Sequence, residues 1–143
     1  MPETTGADVI VTGTAAGVPD RVIRDAVRLV LRRERRLARI GVIFLSKRGM
    51  RQLNAEYLRH DRPTDVMAFP LPQPDGSLAG DVFVCAYVAA TNARAHRVSV
   101  RNEIVRLVIH GTLHVLGWDH PAGADRAKSA MWRRQELYLA ATR

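Results

Sequence analysis

The strongest constraint in this sequence is a block of three histidines, HGTLHVLGWDH, at residues 110–120. His110 and His114 lie four residues apart in an apolar segment with helical spacing. Their side chains therefore sit about 40° apart around a helix and one turn apart along it. Gly117 follows where helices commonly end in a left-handed turn, so the chain can reverse and bring His120 back. The spacing predicts a helix that presents two imidazoles on one face, with a third just beyond its end.

Three imidazole nitrogens are a ligand set for a transition metal. Histidine binds zinc at about 2.0 Å, and three protein ligands leave a fourth position open to water, which is typical of catalytic zinc. Water bound to such an ion has a pKa near 7. Imidazole also suits nickel, copper and iron, so the spacing alone does not fix the metal. We predict one catalytic ion per chain, interpreted as Zn²⁺, held by His110, His114 and His120.

The same H-x-x-x-H-x-x-G-x-x-H spacing occurs in metzincin proteases, and Met131 lies downstream, where those enzymes carry a methionine turn. Those proteases use a glutamate directly after the first histidine as general base. Here that position is Gly111, which has no side chain. A metzincin-like metalloprotease or hydrolase remains an alternative, but it would lack its base.

The positive charge of the chain is concentrated in one segment. The net charge is +8, and residues 21–62 hold thirteen Arg and Lys against four Asp and Glu, a local charge of +9. From residue 20 to about 36 the apolar residues follow helical spacing, and arginines including Arg24, Arg28 and Arg32 form the opposite stripe. A concentrated positive field favours a polyanionic partner, either nucleic acid or an anionic membrane surface. A solvated surface that is rich in arginine for compositional reasons is the alternative.

The remaining pattern alternates β-rich and helical segments. The β-rich segments are 9–12, 39–46, 66–71 and 79–86, and the helical ones are 20 to about 36, 46–58, 87 to about 98, 99–117 and from Ala122 or Gly123 onward. With 143 residues, 47% of them apolar, the chain suits one compact domain over residues 1–143. The interleaving predicts an α+β fold in which about four strands form a small mixed sheet packed with about five helices.

Several features favour a soluble cytoplasmic protein. The only cysteine, Cys85, cannot form an intramolecular disulfide and lies in an apolar run typical of core residues. The N-terminal segment lacks the basic and apolar regions of a signal peptide. The longest apolar stretch, residues 107–118, is shorter than the roughly 18 residues that a membrane span needs. We expect no membrane association.

Two separated motifs resemble the YbeY family of bacterial endoribonucleases. One is the histidine block, and the other is LNAEYLRHDRPTDVMAFP at residues 53–70, which is similar to the family pattern L-N-x-x-Y-R-x-x-D-x-P-T-D-V-L-S-F-P. Between them, Gly80 and Asp81 match the family's G-D-[IV]. The order and spacing agree from about Leu53 to Trp132.

The resemblance implies a metal-dependent endoribonuclease that prefers single-stranded RNA, and with the ion interpreted as zinc we predict a zinc-dependent enzyme. It implies a role in 3′-end maturation of 16S ribosomal RNA, in small-subunit biogenesis and in ribosome quality control. The implied partners are the 16S precursor, the small subunit and ribosome-assembly proteins. The implied metal ligands are His110, His114 and His120.

One position departs from the family pattern. The arginine that follows the family's tyrosine falls on Leu58 here, and Arg59 is one residue further on. Consecutive side chains on a helix point about 100° apart, so Arg59 would point in a different direction from an arginine at position 58. We predict Arg59 and His114 as the catalytic residues.

Further side chains are expected around this site. The predicted substrate contacts are Arg24, Arg28, Arg32, Tyr57, His60 and Asp65. Asp119, beside the third ligand, is predicted to fix an imidazole tautomer. A non-catalytic RNA-binding ribosome-assembly factor with a structural metal is the third interpretation that these residues allow.

Overall fold

The computed structural model describes residues 8–15, 17–58, 65–119 and 129–142, apart from the side chains of Asp8 and Leu58. These ranges contain four strands, β1 (Asp8–Thr12), β2 (Ala38–Leu45), β3 (Val66–Pro70) and β4 (Leu78–Cys85). They also contain five helices, α1 (Asp20–Glu34), α2 (Lys47–Leu58), α3 (Ala86–His96), α4 (Val100–Val115) and α5 (Ala130–Ala141).

The four strands form one mixed sheet in the order β1-β2-β4-β3. β1 and β2 are parallel, β2 and β4 are parallel, and β3 runs antiparallel to β4. The turn between β3 and β4 contains Gly76 at φ +82°, and Asp75 accepts hydrogen bonds from the backbone and hydroxyl of Ser77. This architecture confirms the predicted α+β fold with a small mixed sheet.

Serine side chains cap the helices close to the predicted starts. The hydroxyls of Ser46 and Ser99 each accept a backbone N–H bond of 3.0 Å at the starts of α2 and α4. The last helix begins at Ala130, where Ser129 in an extended conformation caps it. The predicted helix start near Ala122 or Gly123 lies outside the described residues. Of the helices in the described ranges, none is both long enough and apolar enough to cross a membrane.

The two faces of the sheet carry different cores. Alternate residues of a strand point to opposite faces, so Val42, Val82 and Val84 pack in the larger core with α1, α4 and α5. On the opposite face, Met67 and Cys85 pack with Met50 of α2 in a smaller cluster. Cys85 is fully buried there, as its apolar surroundings in the sequence predict.

Helix α4 lies against β4 with almost no space between them. A Cβ built at Gly111 would overlap Cγ1 of Val82 and lie 3.3 Å from Cγ2 of Val66. On β4, a Cβ at Gly80 would lie 2.5 Å from Cγ1 of Val115. Two glycines, one on each element, therefore set the distance between helix and sheet.

A polar cluster around Glu34 joins α1, α5 and the segment after α4. One carboxylate oxygen accepts a 2.7 Å bond from the Trp118 indole, and the other accepts bonds from Arg134 (2.9 Å) and Tyr138 (2.5 Å). The Arg134 guanidinium lies 4.5 Å from the centre of the Trp118 ring. Burial by itself would raise the pKa of Glu34, but the three hydrogen bonds outweigh it and hold the pKa below the ordinary 4.5.

We expect Gly111→Ala to destabilise the protein. Forcing a methyl into a packed core costs roughly 1–3 kcal/mol, and the overlap with a branched side chain puts this site at the upper end. The better helix propensity of alanine offsets about 1 kcal/mol, which leaves a net loss of about 2 kcal/mol in the free energy of unfolding. Urea unfolding would measure it. In a Val82→Ala background the same substitution should cost at least about 1 kcal/mol less, because the overlapping methyl group is gone. If the losses from the two substitutions simply add, overlap with Val82 is not the cause.

Glu34→Gln should lower the free energy of unfolding at pH 7 by about 1–3 kcal/mol, because hydrogen bonds to a charged group weaken. The folded-state pKa lies below the unfolded value, so this stabilisation is complete above pH 4.5 and is lost as the pH falls through the folded pKa. Urea unfolding from pH 7 to pH 3 should show the difference between wild type and variant shrinking below pH 4.5. Glu56→Gln, at an exposed position of α2, is the control. A difference that stays constant down to pH 3 would refute the assignment.

Candidate metal centre

The imidazole rings of His110 and His114 converge on one face of α4. Their Nε2 atoms lie 3.0 Å apart, and their ring centres lie 4.6 Å apart at an interplanar angle of 78°. Both side chains are half-buried and line a cavity of about 770 Å³. The structure thus brings together two of the three predicted ligands.

A backbone carbonyl fixes the tautomer of His114. Its Nδ1 lies 2.9 Å from the carbonyl oxygen of Trp118. A carbonyl oxygen only accepts hydrogen bonds, so Nδ1 carries the proton. The Nε2 of neutral His114 therefore carries a lone pair, and it faces His110.

A side-chain amide does the same for His110. Its Nδ1 lies 2.6 Å from Oε1 of Gln135. The other end of that amide, Nε2, donates a 3.0 Å bond to the carboxylate of Glu136, which fixes the orientation of the amide. His110 therefore also carries its proton on Nδ1 when neutral.

These contacts decide what the pair of histidines can bind. Two Nε2 lone pairs at 3.0 Å repel each other unless a proton or a cation lies between them. A tetrahedral ion with bonds of about 2.0–2.1 Å holds two nitrogens roughly 3.3 Å apart, close to the observed separation. The donor atoms present thus fit a metal cation of the type that imidazole binds.

The third predicted ligand, His120, lies outside the described residues. Among the residues that are described, no group of three His, Cys, Asp or Glu side chains could hold a metal ion. Gly117, at φ +102°, adopts the left-handed conformation that the predicted chain reversal requires. The role of His120 stays a prediction.

The cavity lies where β3, α3, α4 and α5 meet. Trp118, Trp132 and the edge strand β3 contribute to its lining. Asp65 also lines it, and its carboxylate accepts a 3.4 Å hydrogen bond from Asn92 of α3. Its lining mixes apolar side chains with charged ones, Glu103 and Arg106 among them, and its volume lies in the range of ligand sites.

Of two other predicted residues, one lies at the cavity and one does not line it. Asp119 is exposed and lines it, but the described Nδ1 partners of His110 and His114 are Gln135 and Trp118. Tautomer control by Asp119 therefore stays a prediction. Tyr57 is 57% exposed, and its ring lies 5.2 Å from that of Phe69 in the smaller core, on the α2 side of the sheet.

The predicted basic stripe lies on α1, which packs against α4 on the larger-core side of the sheet. Arg28 and Arg32 are exposed, and Arg24 is half-buried. Arg59 and His60 lie outside the described residues, so the structure does not place the predicted catalytic arginine.

Gln135 and the carbonyl of Trp118 are site residues that the sequence did not predict. Gln135 lies 25 residues from His110, so no local spacing links the two. The Trp118 contact involves only a backbone atom, which any residue provides. A polar residue on the apolar stripe of α5, between Met131 and Leu139, was the one available signal.

Known proteins are similar to this chain over most of its length. The sequence matches the family profile described as Endoribonuclease YbeY over residues 16–143. The Endoribonuclease YbeY of Thermotoga maritima is 31% identical over 117 residues, which cover 82% of this chain and 76% of that protein. That of Chlorobium luteolum is 34% identical over 127 residues, which cover 88% and 90%.

The fold has a counterpart among solved structures. The solution structure of TM1509 from Thermotoga maritima superposes with a TM-score of 0.68 and 28% identity, covering 94% of this chain and 88% of the other. The family profile spans nearly all of the sequence, and the two relatives exceed 30% identity across most of their own length. This chain therefore belongs to the endoribonuclease YbeY family.

Proposed function

We propose that this protein is a zinc-dependent endoribonuclease that cleaves single-stranded RNA. The observation that carries the proposal is the pair of Nε2 atoms, 3.0 Å apart in a cavity of about 770 Å³. The relatives named as endoribonucleases and the local charge of +9 support RNA as the substrate.

The metal would be held by His110 and His114, with His120 as the third ligand. When bound, such an ion polarises a phosphoryl oxygen and lowers the pKa of a water molecule towards 7. His114 orients its Nε2 for this role through the Trp118 carbonyl. Arg59 would contact the phosphate beside the metal.

The surrounding residues would hold the RNA strand. Arg28 and Arg32, which are exposed, and Arg24 would attract the phosphate backbone of the RNA. Positive charge and base stacking bind single strands whatever their sequence. The exposed ring of Tyr57 would stack on a base, and Asp65, which lines the cavity, would contact the strand. His60 is proposed as a further contact.

The biological substrate that we propose is the 3′ end of 16S ribosomal RNA. Its maturation would link the enzyme to the small ribosomal subunit, to ribosome-assembly proteins and to quality control. This role places the protein in the cytoplasm.

We expect His114→Ala to lose bound zinc and RNA cleavage together. Disturbing a contact behind a metal ligand already weakens metal affinity by about 10–100-fold, so loss of the ligand itself should weaken it at least about 100-fold. Metal content and cleavage of a single-stranded RNA would be measured on the same preparation. His96→Ala, a histidine of α3, should retain its metal. RNA cleavage by metal-free His114→Ala would refute the proposal.

Chelator treatment distinguishes the proposed activity from the other two interpretations. Wild-type protein would be incubated with single-stranded RNA and with casein, each with and without chelator. We expect RNA cleavage that the chelator stops, and intact casein, because Gly111 supplies no general base. Casein cleavage would favour a metalloprotease, and metal-bound protein that cleaves neither would favour an RNA-binding assembly factor.

The basic stripe of α1 should determine the salt dependence of RNA binding. We would replace Arg24, Arg28 and Arg32 with Gln and measure how the RNA-binding constant falls with salt concentration. The plot of the logarithm of that constant against the logarithm of the salt concentration should become less steep, by about 0.7 for each phosphate that these arginines neutralise in the wild-type complex. A second triple variant, at Lys47, Arg48 and Arg51 of α2, removes equal charge from the opposite face of the sheet. Equal slopes for the two variants would show that binding depends on net charge, not on α1.

A further inference from the structure

Gln135 is a buried polar residue in the apolar stripe of α5. Its side chain is 1% exposed, and its neighbours one turn away, Met131 and Leu139, are core residues. Burying an amide is costly unless both of its ends are hydrogen-bonded. Both ends are bonded here, Oε1 to His110 and Nε2 to Glu136.

An ion-pair chain prevents this amide from turning over. The Arg106 guanidinium binds both carboxylate oxygens of Glu136, at 2.9 and 3.0 Å, and also binds Glu103 at 2.9 Å. This paired arrangement holds the Glu136 carboxylate in place beside Gln135. A flipped amide would present its oxygen to that carboxylate and its NH₂ group to the Nδ1 proton of His110, so both contacts would be repulsive. These ion pairs thus keep Oε1 of Gln135 directed at His110.

The adjacent residue on α5 supports the other histidine. Arg134 lies over the Trp118 ring and shares Glu34 with the Trp118 indole. The backbone N–H of Trp118 is also bonded, to the carbonyl of Leu113 at 3.0 Å. Trp118 is thereby anchored at its ring and its backbone, and its carbonyl faces Nδ1 of His114.

We propose that α5 positions the metal ligands, with Gln135 acting directly on His110 and Arg134 acting through Trp118 on His114. Each contact holds the ring proton on Nδ1 and leaves the Nε2 lone pair directed at the shared ion. The inference rests on the proposed metal site and names Gln135 as its main positioning residue. Such partners behind a histidine ligand set its tautomer and raise its basicity.

The test compares two variants at Gln135. Gln135→Met keeps the length of the side chain but removes the oxygen acceptor. The double variant Gln135→Glu, Glu136→Gln keeps an acceptor for the Nδ1 proton and an amide donor beside it, so that two buried carboxylates do not face each other. Zinc affinity would be measured by competition with a chromogenic chelator. We expect Gln135→Met to bind zinc about 10–100-fold more weakly, and the double variant to stay within about threefold of wild type. Leu137→Gln, on the exposed side of the same helix, should not change the affinity.

A second measurement needs no metal. Nitrogen-15 NMR of the imidazoles in metal-free protein reports which ring nitrogen is protonated. We expect wild-type His110 to hold its proton on Nδ1 and Gln135→Met to lose that preference, while circular dichroism confirms that the variant is folded.

The outcomes separate this inference from the proposed function. Wild-type zinc affinity in Gln135→Met, or equal weakening in Gln135→Met and in the double variant, would overturn the positioning role. Wild-type protein that binds no zinc would overturn the metal site, and in that case the NMR result alone decides the positioning role. If His110 keeps its proton on Nδ1 in Gln135→Met, the positioning role is wrong.

Discussion

The close approach of α4 to β4 is the constraint on which the site depends. A helix normally stands away from a sheet by the length of its side chains, but Gly111 and Gly80 remove side chains at two points of contact. The α4 backbone can therefore settle directly against Val82 and the edge strand β3. Because Gly111 faces the sheet, the neighbouring His110, about 100° away around the helix, is turned towards the cavity. His114, one turn further on, follows it.

This close packing brings the histidines to the cavity, and polar contacts orient their rings. The Nδ1 partners come from residues that are distant in sequence or from the backbone, and both are held by further charged groups. Gln135 relies on the Glu136 and Arg106 pair, and Trp118 relies on Glu34. Half-buried rings with fixed tautomers lose little freedom when a ligand binds, so less of the binding free energy is spent on ordering them.

The sequence predicts those features that depend on local spacing. The helical periodicity around His110 and His114 predicts that they share a face, and Ser46 and Ser99 mark the helix starts where the structure has them. The insertion of β4 between β2 and β3 is a long-range pairing that no local pattern encodes. The contact of Glu34 with Trp118 spans 84 residues and could not be predicted for the same reason. Gln135 has the weakest signal, because its burial shows in the sequence only as one polar residue on the apolar stripe of α5.

Gly111 has a different meaning in the structure than in the sequence. In the sequence it indicates a missing general base, which argues against peptide hydrolysis and so favours RNA. In the structure the position faces Val82, where any side chain would overlap the sheet, so packing alone is enough to require glycine. The absence of a base still counts against a protease. It gives no independent support for RNA, since a close-packed helix would need glycine whatever the substrate. The assignment to RNA therefore rests on the family and on the basic segment, while the histidine pair supports the metal.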